Sequence, residues 1–307
     1  MPFFSIIIPV YNKETFLENT IKSVLQQSFT DFELIVINDG STDNSESKIK
    51  SFSDPRIKYL KKENGGVSTA RNLGIETAAA SYITFIDADD YWYPNFLEEM
   101  VSSIEQFPDQ HIFSAAIEVE TEKTVFPAQY SIVKEKEKEV VNYFDASMKT
   151  TAICTSCAVF HKSVFEKVGN FDVDIRSGQD TDMWIRIGLR YPIVFSWKIL
   201  ARYVYDAQSL SKKKEYLNKK MNFSKFEMLE KTNERLKKFL DLNLFSFAIR
   251  SKLANDKANF KVYYDKINLK DLNFKKRILL ELPGFGLQFL VRLNLFLVQL
   301  GIKKSVF

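Results

Sequence analysis

Cysteine is scarce in this sequence. Only Cys154 and Cys157 occur among the 307 residues, which argues against a disulfide-stabilised scaffold and indicates a reducing compartment. The two residues form a C-T-S-C stretch, so a redox motif or half of a zinc site stays open as an alternative. Because there is no second C-x-x-C stretch and there are only two histidines, we expect both thiols to be small side chains of a buried strand.

Charge of one sign is not in excess either. The net charge is +4, with 45% hydrophobic and 27% charged residues. This balance excludes an intrinsically disordered chain and lacks the basic footprint of a nucleic-acid binder. We therefore expect no nucleic-acid partner, and one large domain or a catalytic domain with a helical appendage.

The N-terminal stretch MPFFSIIIPVYN lacks the features of a secretory signal peptide. It has no basic segment, its apolar run is short, and no small-residue cleavage site follows. We interpret it as a first strand and expect a cytoplasmic protein. A G-x-G-x-x-G turn is also missing after this strand, which argues against a nicotinamide-dependent oxidoreductase.

Strand and helix patterns alternate over the first hundred residues. The apolar runs FFSIIIPV, FELIVIND and YITFI are typical of buried strands, and helical spacing lies between them. This order predicts an α/β fold with a mostly parallel, Rossmann-like sheet flanked by helices. Polar groups follow three strands, at Pro9–Tyr11, Asn38–Asp39 and Asp87–Asp89. Ligands of such sheets bind beyond the carboxyl ends of the strands, so these groups should share one site.

Three carboxylates crowd the end of the strand YITFI: Asp87, Asp89 and Asp90. Such a cluster is unfavourable unless a cation or a proton relieves the repulsion. Mg²⁺ and Mn²⁺ prefer oxygen ligands and usually take one or two carboxylates together with substrate phosphates. The alternative is that the acids cap the next helix, near Pro94. Asp39 at the same edge favours the metal, and Asp90 suits capping best.

These stretches together resemble a known family. SIIIPVYNKETFLENT, VINDGSTD, NGGVSTARNLG and YITFIDADD are similar to the family 2 glycosyltransferases, which have the GT-A fold. The resemblance covers residues 3–207 and is specific because the motifs occur in combination. It implies that the acids after YITFI are the D-x-D motif of a nucleotide-sugar transferase.

The resemblance also implies a donor site. The nucleotide-binding residues would be Pro9, Tyr11, Glu14, Asp39, Gly65, Gly66, Arg71, Asp87 and Ala88. Tyr11 would stack on the base, Asp39 would hydrogen-bond it (usually uracil), and Arg71 would point at the nucleotide. Asp89, with Asp87, would bind Mg²⁺ or Mn²⁺. The simpler alternatives are an ordinary turn at the two glycines and a surface salt bridge at Arg71.

The stretch SGQDTDMWIR lies where this family carries the motif of its catalytic base. Asp180 is the candidate base, with Asp182 second, although either could cap the helix that follows. Arg186 would orient Asp180 or bind phosphate, with a plain ion pair as the alternative. Trp184 would line the acceptor site or pack in the core.

The reaction implied is inverting transfer from a nucleotide-sugar, favoured to be a UDP-sugar, to a hydroxyl of a glycan or lipid-linked acceptor in surface polysaccharide assembly. Two rivals remain. One is a GT-A-like scaffold without catalysis. The other is a haloacid-dehalogenase-type phosphohydrolase, which also has D-x-D at the end of a strand. That family has Thr or Val at the position of Tyr91, which argues against it.

Residues 1–210 are predicted to form the catalytic domain, with the nucleotide-sugar side in 1–92 and the acceptor side in 93–210. Residues 211–307 are predicted to be helical, with an amphipathic helix near 281–303. Its polar stripe would contain Glu281, Gln288, Arg292, Gln299 and Lys303. Its apolar run is short for a membrane span and contains an arginine, so we expect peripheral attachment to the cytoplasmic membrane face. Packing onto the catalytic domain and a homodimer contact are the alternatives.

Overall fold

The computed structural model describes residues 1–122, 124–204, 221 and 223–299. The chain divides into two compact units, Met1–Asn222 and Phe223–Phe307. The strands of the first unit are β1 (Phe4–Val10), β2 (Phe32–Asp39), β3 (Ile57–Lys62), β4 (Tyr82–Phe85), β5 (Tyr91–Trp92), β6 (Ile112–Glu120), β7 (Val125–Pro127), β8 (Lys138–Val141), β9 (Ala158–His161) and β10 (Ile193–Val204). Its helices are α1 (Leu17–Leu25), α2 (Ser45–Lys50), α3 (Val67–Thr77), α4 (Phe96–Gln106), α5 (Tyr143–Ala146), α6 (Ser163–Val168) and α7 (Gln179–Gly188).

The first four strands form the parallel part of one sheet. β1 lies between β2 and β4, and β3 pairs with β2, all in parallel register. Every residue of β1 and β2 is buried, as expected for central strands with helices on both faces. Helix α3 approaches β1 closely at Gly74, where a β-carbon would meet the side chain of Ile7. The predicted α/β class is confirmed.

The rest of the sheet is mixed. The strand order is β3-β2-β1-β4-β9-β6-β10-β5, with β7 beside β6 and β8 beside β10. β9 runs antiparallel to both β4 and β6, so the predicted parallel pairing is limited to β1–β4 and to the β6–β10 pair. The charged stretch KEKEKEV (134–140) has the pattern of a loop or helix start, but its last three residues belong to β8, because β10 offers a partner strand.

The topology brings six strand ends to one edge of the sheet. β1 to β4 are parallel, β4 and β6 point the same way because both are antiparallel to β9, and β10 is parallel to β6. The carboxyl ends of these strands therefore share an edge: β1, β2, β3, β4, β6 and β10. This is the edge at which ligands of open α/β sheets bind.

The second unit is built around one long helix. Its helices are α8 (Glu227–Glu230), α9 (Glu234–Leu253), α10 (Lys257–Tyr264), α11 (Phe274–Glu281) and α12 (Gly284–Gln299). α9 packs against each of the other four. Asn233, Asp256 and Asn273 cap α9, α10 and α11 by accepting backbone N–H bonds, the usual function of such residues at helix starts.

The predicted helix near 281–303 differs from the observed one. α11 ends at Glu281 and α12 begins at Gly284, because Leu282 before Pro283 adopts an extended conformation. Glu281 therefore does not share a helix with Gln288 and Arg292. Gln299 and Lys303 lie outside the residues whose side chains are described. In the described residues no helix is long and apolar enough to cross a bilayer.

Candidate functional site

The first two loops at the carboxyl edge are tied to each other. Asn12, with a positive φ of 51°, accepts from the N–H of Thr42 at 2.8 Å and donates to its hydroxyl at 3.1 Å. Glu14 accepts from the N–H of Asn44 at 2.8 Å. Three predicted nucleotide-binding residues lie here. Tyr11 is exposed next to these loops, and Pro9 is buried within β1. The Glu14 carboxylate is hydrogen-bonded to the neighbouring loop.

Asp39 organises the glycine turn before α3. Its buried carboxylate accepts from the N–H groups of Gly65 at 3.0 Å and Gly66 at 2.8 Å, and pairs with Lys62 at 2.5 Å. Gly66 has a φ of 90°, a conformation that favours glycine. Asp39 thus reaches the turn from β2, and its predicted contact with a base stays a prediction.

The same turn is covered by Arg176, which the sequence analysis did not identify. Its Nη1 donates to the carbonyl oxygen of Gly65 at 2.5 Å, and a β-carbon at Gly66 would collide with that nitrogen. No motif distinguishes Arg176 in the sequence. Only its position four residues before Asp180 could have drawn attention to it.

Arg71 contacts both Asp87, a predicted donor-site residue, and Asp180, the candidate base. Its side chain is 2% exposed and pairs with Asp87 at 2.7 Å and with Asp180 at 2.5 Å. The guanidinium also lies over the ring of Phe171. Burial alone would lower the pKa of Arg71, but Asp180 and Asp87 raise it, so the side chain stays charged. The fold brings these three residues together from α3, the end of β4 and the start of α7.

Asp180 lies in the first turn of α7, which begins after Gly178 in the left-handed conformation. Its side chain is 36% exposed. Loss of water around the carboxylate raises the pKa of Asp180, the charge of Asp87 raises it further, and Arg71 opposes both. An accessible carboxylate with a raised pKa is suited to accept a proton.

The other residues predicted around Asp180 have different surroundings. Asp182 is buried and pairs with Arg186 at 3.0 Å. Arg186 also donates to the carbonyl oxygens of Val168, Gly169 and Asn170. Its described partners therefore fit the plain ion pair, and the cation that contacts Asp180 is Arg71.

Trp184 belongs to the core. It is 2% exposed and its ring stacks on Phe160 with centroids 5.2 Å apart. Phe171 contacts the same ring edge-on. Of the two predicted roles of Trp184, core packing fits this position, because other aromatic rings already cover its surface.

The three clustered acids have different environments. Asp89 pairs with Lys13 at 2.6 Å. Burial and the nearby charge of Asp87 raise the pKa of Asp89 despite Lys13. Asp90 is buried and accepts from the Ser156 hydroxyl at 2.5 Å and from the N–H of Val204 at 3.0 Å.

Asp90 therefore does not cap α4, whose N-cap is Asn95. Burial, Asp87 and Asp89 raise the pKa of Asp90 well above its usual value. Ala88, between the acids, is buried and its carbonyl oxygen accepts from the Thr20 hydroxyl at 3.0 Å. These bonds fix the D-A-D-D turn against α1 and β10.

The carboxylates of Asp87 and Asp89 fit a metal ion that takes few ligands from the protein. Among the described residues no group of three or more His, Cys, Asp or Glu side chains is placed to hold an ion. Asp87 and Asp89 are both partly exposed, and each already has a cationic partner. A divalent ion here would have at most these two carboxylates and would have to compete with Lys13.

Comparison with known proteins identifies the family. The model of glycosyl transferase family 2 matches residues 5–169, more than half of the chain. An uncharacterized glycosyltransferase of Rickettsia typhi is 32% identical over 216 residues, covering 68% of this chain and 66% of the relative. One of Rickettsia felis is 29% identical over 256 residues, covering 78% of this chain and 40% of the relative.

Solved structures show the same fold. S. aureus TarS superposes with a TM-score of 0.64 at 17% identity, over 91% of this chain and 50% of TarS. A TarS fragment in complex with UDP-GlcNAc gives a TM-score of 0.58 at 16% identity, over 86% of this chain and 91% of the fragment. The chain thus spans about two fifths to two thirds of these curated relatives and half of the full TarS chain. Together with the family match, these findings show that the chain belongs to glycosyl transferase family 2 and has the GT-A fold.

Proposed function

We propose that this chain is an inverting glycosyltransferase of the hexosyltransferase type. It moves a sugar from a UDP-sugar to a hydroxyl of a glycan or lipid-linked acceptor in surface polysaccharide assembly. The observation that carries the proposal is the pair of ion pairs from Arg71 to Asp87 and to Asp180. These two ion pairs place a predicted donor-site carboxylate and a candidate base on the same buried guanidinium. UDP as the nucleotide is supported by the TarS complexes with UDP and UDP-GlcNAc.

The donor lies along the carboxyl edge of β1, β2 and β4. Tyr11 stacks on the base from its exposed position after β1, and Asp39 accepts from the base while holding the glycine turn. A carboxylate has about four lone-pair sites. The three donors already on Asp39 therefore leave room for one more.

Asp89 and Asp87 would hold Mg²⁺ or Mn²⁺ when the donor is bound, and the ion would supply positive charge beside the diphosphate leaving group. Lys13 keeps Asp89 paired when no ion is present, which limits the repulsion within the acid cluster.

Asp180 acts as the base. Its carboxylate takes the proton of the acceptor hydroxyl while the acceptor oxygen bonds to the anomeric carbon, and the bond from that carbon to the diphosphate breaks on the opposite face. The nucleoside diphosphate leaves with the bonding electrons. Because attack and departure take place on opposite faces of the anomeric carbon, its configuration inverts. Arg71 is a positioning residue, because it contacts both Asp87 and Asp180 and sets the base relative to the donor side.

The second unit binds the cytoplasmic face of the membrane. Phe285 and Phe289, one turn apart on α12, are 79% and 65% exposed, and Phe274 and Ile278 on α11 are exposed at the same spacing. Basic residues accompany them at Lys275 and Arg292. Exposed aromatic side chains with basic neighbours suit an interface of anionic lipid. A homodimer through the same side chains is the alternative outcome.

The first test is titration calorimetry with UDP and GDP, each with and without Mn²⁺, on the wild type and Asp89→Ala. We expect Mn²⁺-dependent UDP binding that is lost in the variant. GDP preference would keep the transferase but contradict the base contact of Asp39. Binding of neither nucleotide would contradict the proposal and favour a scaffold that retains only the fold.

A further inference from the structure

The cations around the acid cluster differ in their partners. Lys13 pairs with Asp89, Lys62 with Asp39, and Arg71 with Asp87 and Asp180. Arg176 is different. Within the described residues it forms no ion pair, and its one hydrogen bond goes to the uncharged carbonyl oxygen of Gly65.

That contact leaves most of the guanidinium uncommitted. Arginine presents five N–H donors in a rigid fork that matches phosphate oxygens, and one of these donors is on Gly65. The side chain is half-buried. A half-buried charge without a counter-charge is unfavourable unless a ligand supplies one.

The position of Arg176 indicates which ligand this is. Its Nη1 is fixed on the turn formed by Gly65 and Gly66, whose N–H groups are held by Asp39. The guanidinium therefore lies at the entrance to α3, next to the residues expected to border the nucleotide. A base or sugar carries no negative charge there, whereas the diphosphate of a nucleotide-sugar does.

We propose that Arg176 binds the diphosphate of the donor and stabilises the negative charge that grows on it as the nucleoside diphosphate leaves. This rests on the proposed function. The bond between the anomeric carbon and the diphosphate oxygen breaks with its electron pair on that oxygen. Arg176 donates N–H hydrogen bonds to the phosphate oxygens and transfers no proton.

The test compares UDP with uridine, which lacks the diphosphate, by titration calorimetry at one fixed Mn²⁺ concentration. The variants are Arg176→Gln, which removes the charge, and Arg176→Lys, which keeps it. Arg190→Gln is the matched control, because Arg190 is an exposed arginine just beyond the other end of α7. Thermal unfolding of each variant confirms that it is folded.

We expect Arg176→Gln to weaken UDP binding by about 10- to 100-fold, as for loss of hydrogen bonds to a charged group. Uridine binding should stay as in the wild type. Arg176→Lys should recover part of the loss, and Arg190→Gln should bind both ligands normally.

Two results would overturn the inference while leaving the proposed function intact. One is unchanged UDP affinity in Arg176→Gln, including the case in which only turnover with an acceptor falls. The other is an equal loss for UDP and uridine, which would mean that Arg176 only shapes the turn. If the wild type itself binds neither UDP nor GDP, the proposed function fails and this inference fails with it.

Discussion

In the N-terminal unit large charged side chains lie inside, whereas in the C-terminal unit large apolar side chains lie outside. Arg71, Asp39 and Asp90 are all buried at the carboxyl edge of the sheet. Phe285 and Phe289 are among the most exposed hydrophobic side chains of the second unit. Buried charge and exposed apolar surface are the informative exceptions to the usual pattern of folded proteins.

The two exceptions point to different partners. Taking an ion out of water costs several kcal/mol unless it is paired. The ion pairs of Arg71 with Asp87 and Asp180 offset this cost and place three charged groups together, a grouping that suits a polar ligand. Leaving a phenylalanine in water forgoes about 1.5–3 kcal/mol of burial. This difference agrees with the partners proposed above, a charged small molecule for the first unit and an apolar surface for the second.

Replacing Asp180 with Asn tests the charged site most severely. We expect the sugar-transfer rate to fall about 10²- to 10⁴-fold, as for loss of a general base, while UDP affinity stays close to that of the wild type. Since the pKa of Asp180 is raised, the wild-type rate should fall as the pH drops through a value above the ordinary pKa of about 3.9. Acceptor-dependent release of UDP from a panel of UDP-sugars measures both effects. A near-normal rate in Asp180→Asn would place the base elsewhere.

Arg71 and Arg186 separate a charge that serves the site from one that serves the fold. Arg186→Met removes the cation from the buried Asp182 carboxylate and should lower the free energy of unfolding by about 3–5 kcal/mol. Arg71→Met leaves the carboxylates of Asp87 and Asp180, which are 32% and 36% exposed, and should lower it by less. Only Arg71→Met should also abolish transfer by the folded protein. Denaturant unfolding and activity per folded molecule distinguish the two. Equal loss of activity in both variants would contradict the specific role of Arg71.

One buried acid in the helical unit weakens the comparison. Asp241 in α9 is fully buried, pairs with Lys237 at 2.5 Å and accepts from the N–H of Asn268 at 3.2 Å. Burial raises the pKa of Asp241 to about 6. The folded state therefore keeps a proton that the unfolded state has lost, and stability should decrease as the pH rises from about 4 to 6.

Asp241→Asn should remove this slope. A pKa difference of two units corresponds to about 3 kcal/mol, so the variant should gain about that much relative to the wild type between pH 4 and pH 6.5. Denaturant unfolding of the full chain at several pH values measures the difference. A pH-independent difference would mean that the carboxyl group of Asp241 titrates normally and that its burial carries no large cost.

Sequence reasoning reached the strands and helices that carry strong local patterns. β1, β2, α3 and α7 could be predicted because the spacing of apolar residues within each segment shows which of its side chains are buried. The β8 strand could not, since its charged sequence becomes a strand only through pairing with β10.

The site followed the same division. Asp87, Arg71 and Asp180 were each identifiable from motifs, but the pairing of Arg71 with Asp180 was not, because 109 residues separate them in sequence. Likewise, nothing local reveals that Asp90 is held by Ser156 and the end of β10, or that Arg176 lies on the glycine turn. Such contacts depend on the order of strands in the sheet, and the sequence pattern does not specify which residues meet across it.

Replacing Phe285 and Phe289 with Ser tests the apolar surface and has the smallest expected effect on the fold. Both side chains are largely exposed, so the free energy of unfolding should change by no more than about 0.5 kcal/mol. Binding to vesicles that contain anionic lipid should weaken by at least about tenfold per residue, which corresponds to the lower end of the burial energy of a phenylalanine.

Met228→Ser is the control, since Met228 on α8 is also exposed but lies outside the stretch in which aromatic and basic residues alternate. Vesicle co-sedimentation at two salt concentrations reports the apolar and the electrostatic contributions separately, because salt screens only the latter. Unchanged vesicle binding in the double variant, together with a shift to monomer in sedimentation velocity, would assign the surface to a second copy of the chain. The contrast between the two units would then stand, with a protein in place of the lipid.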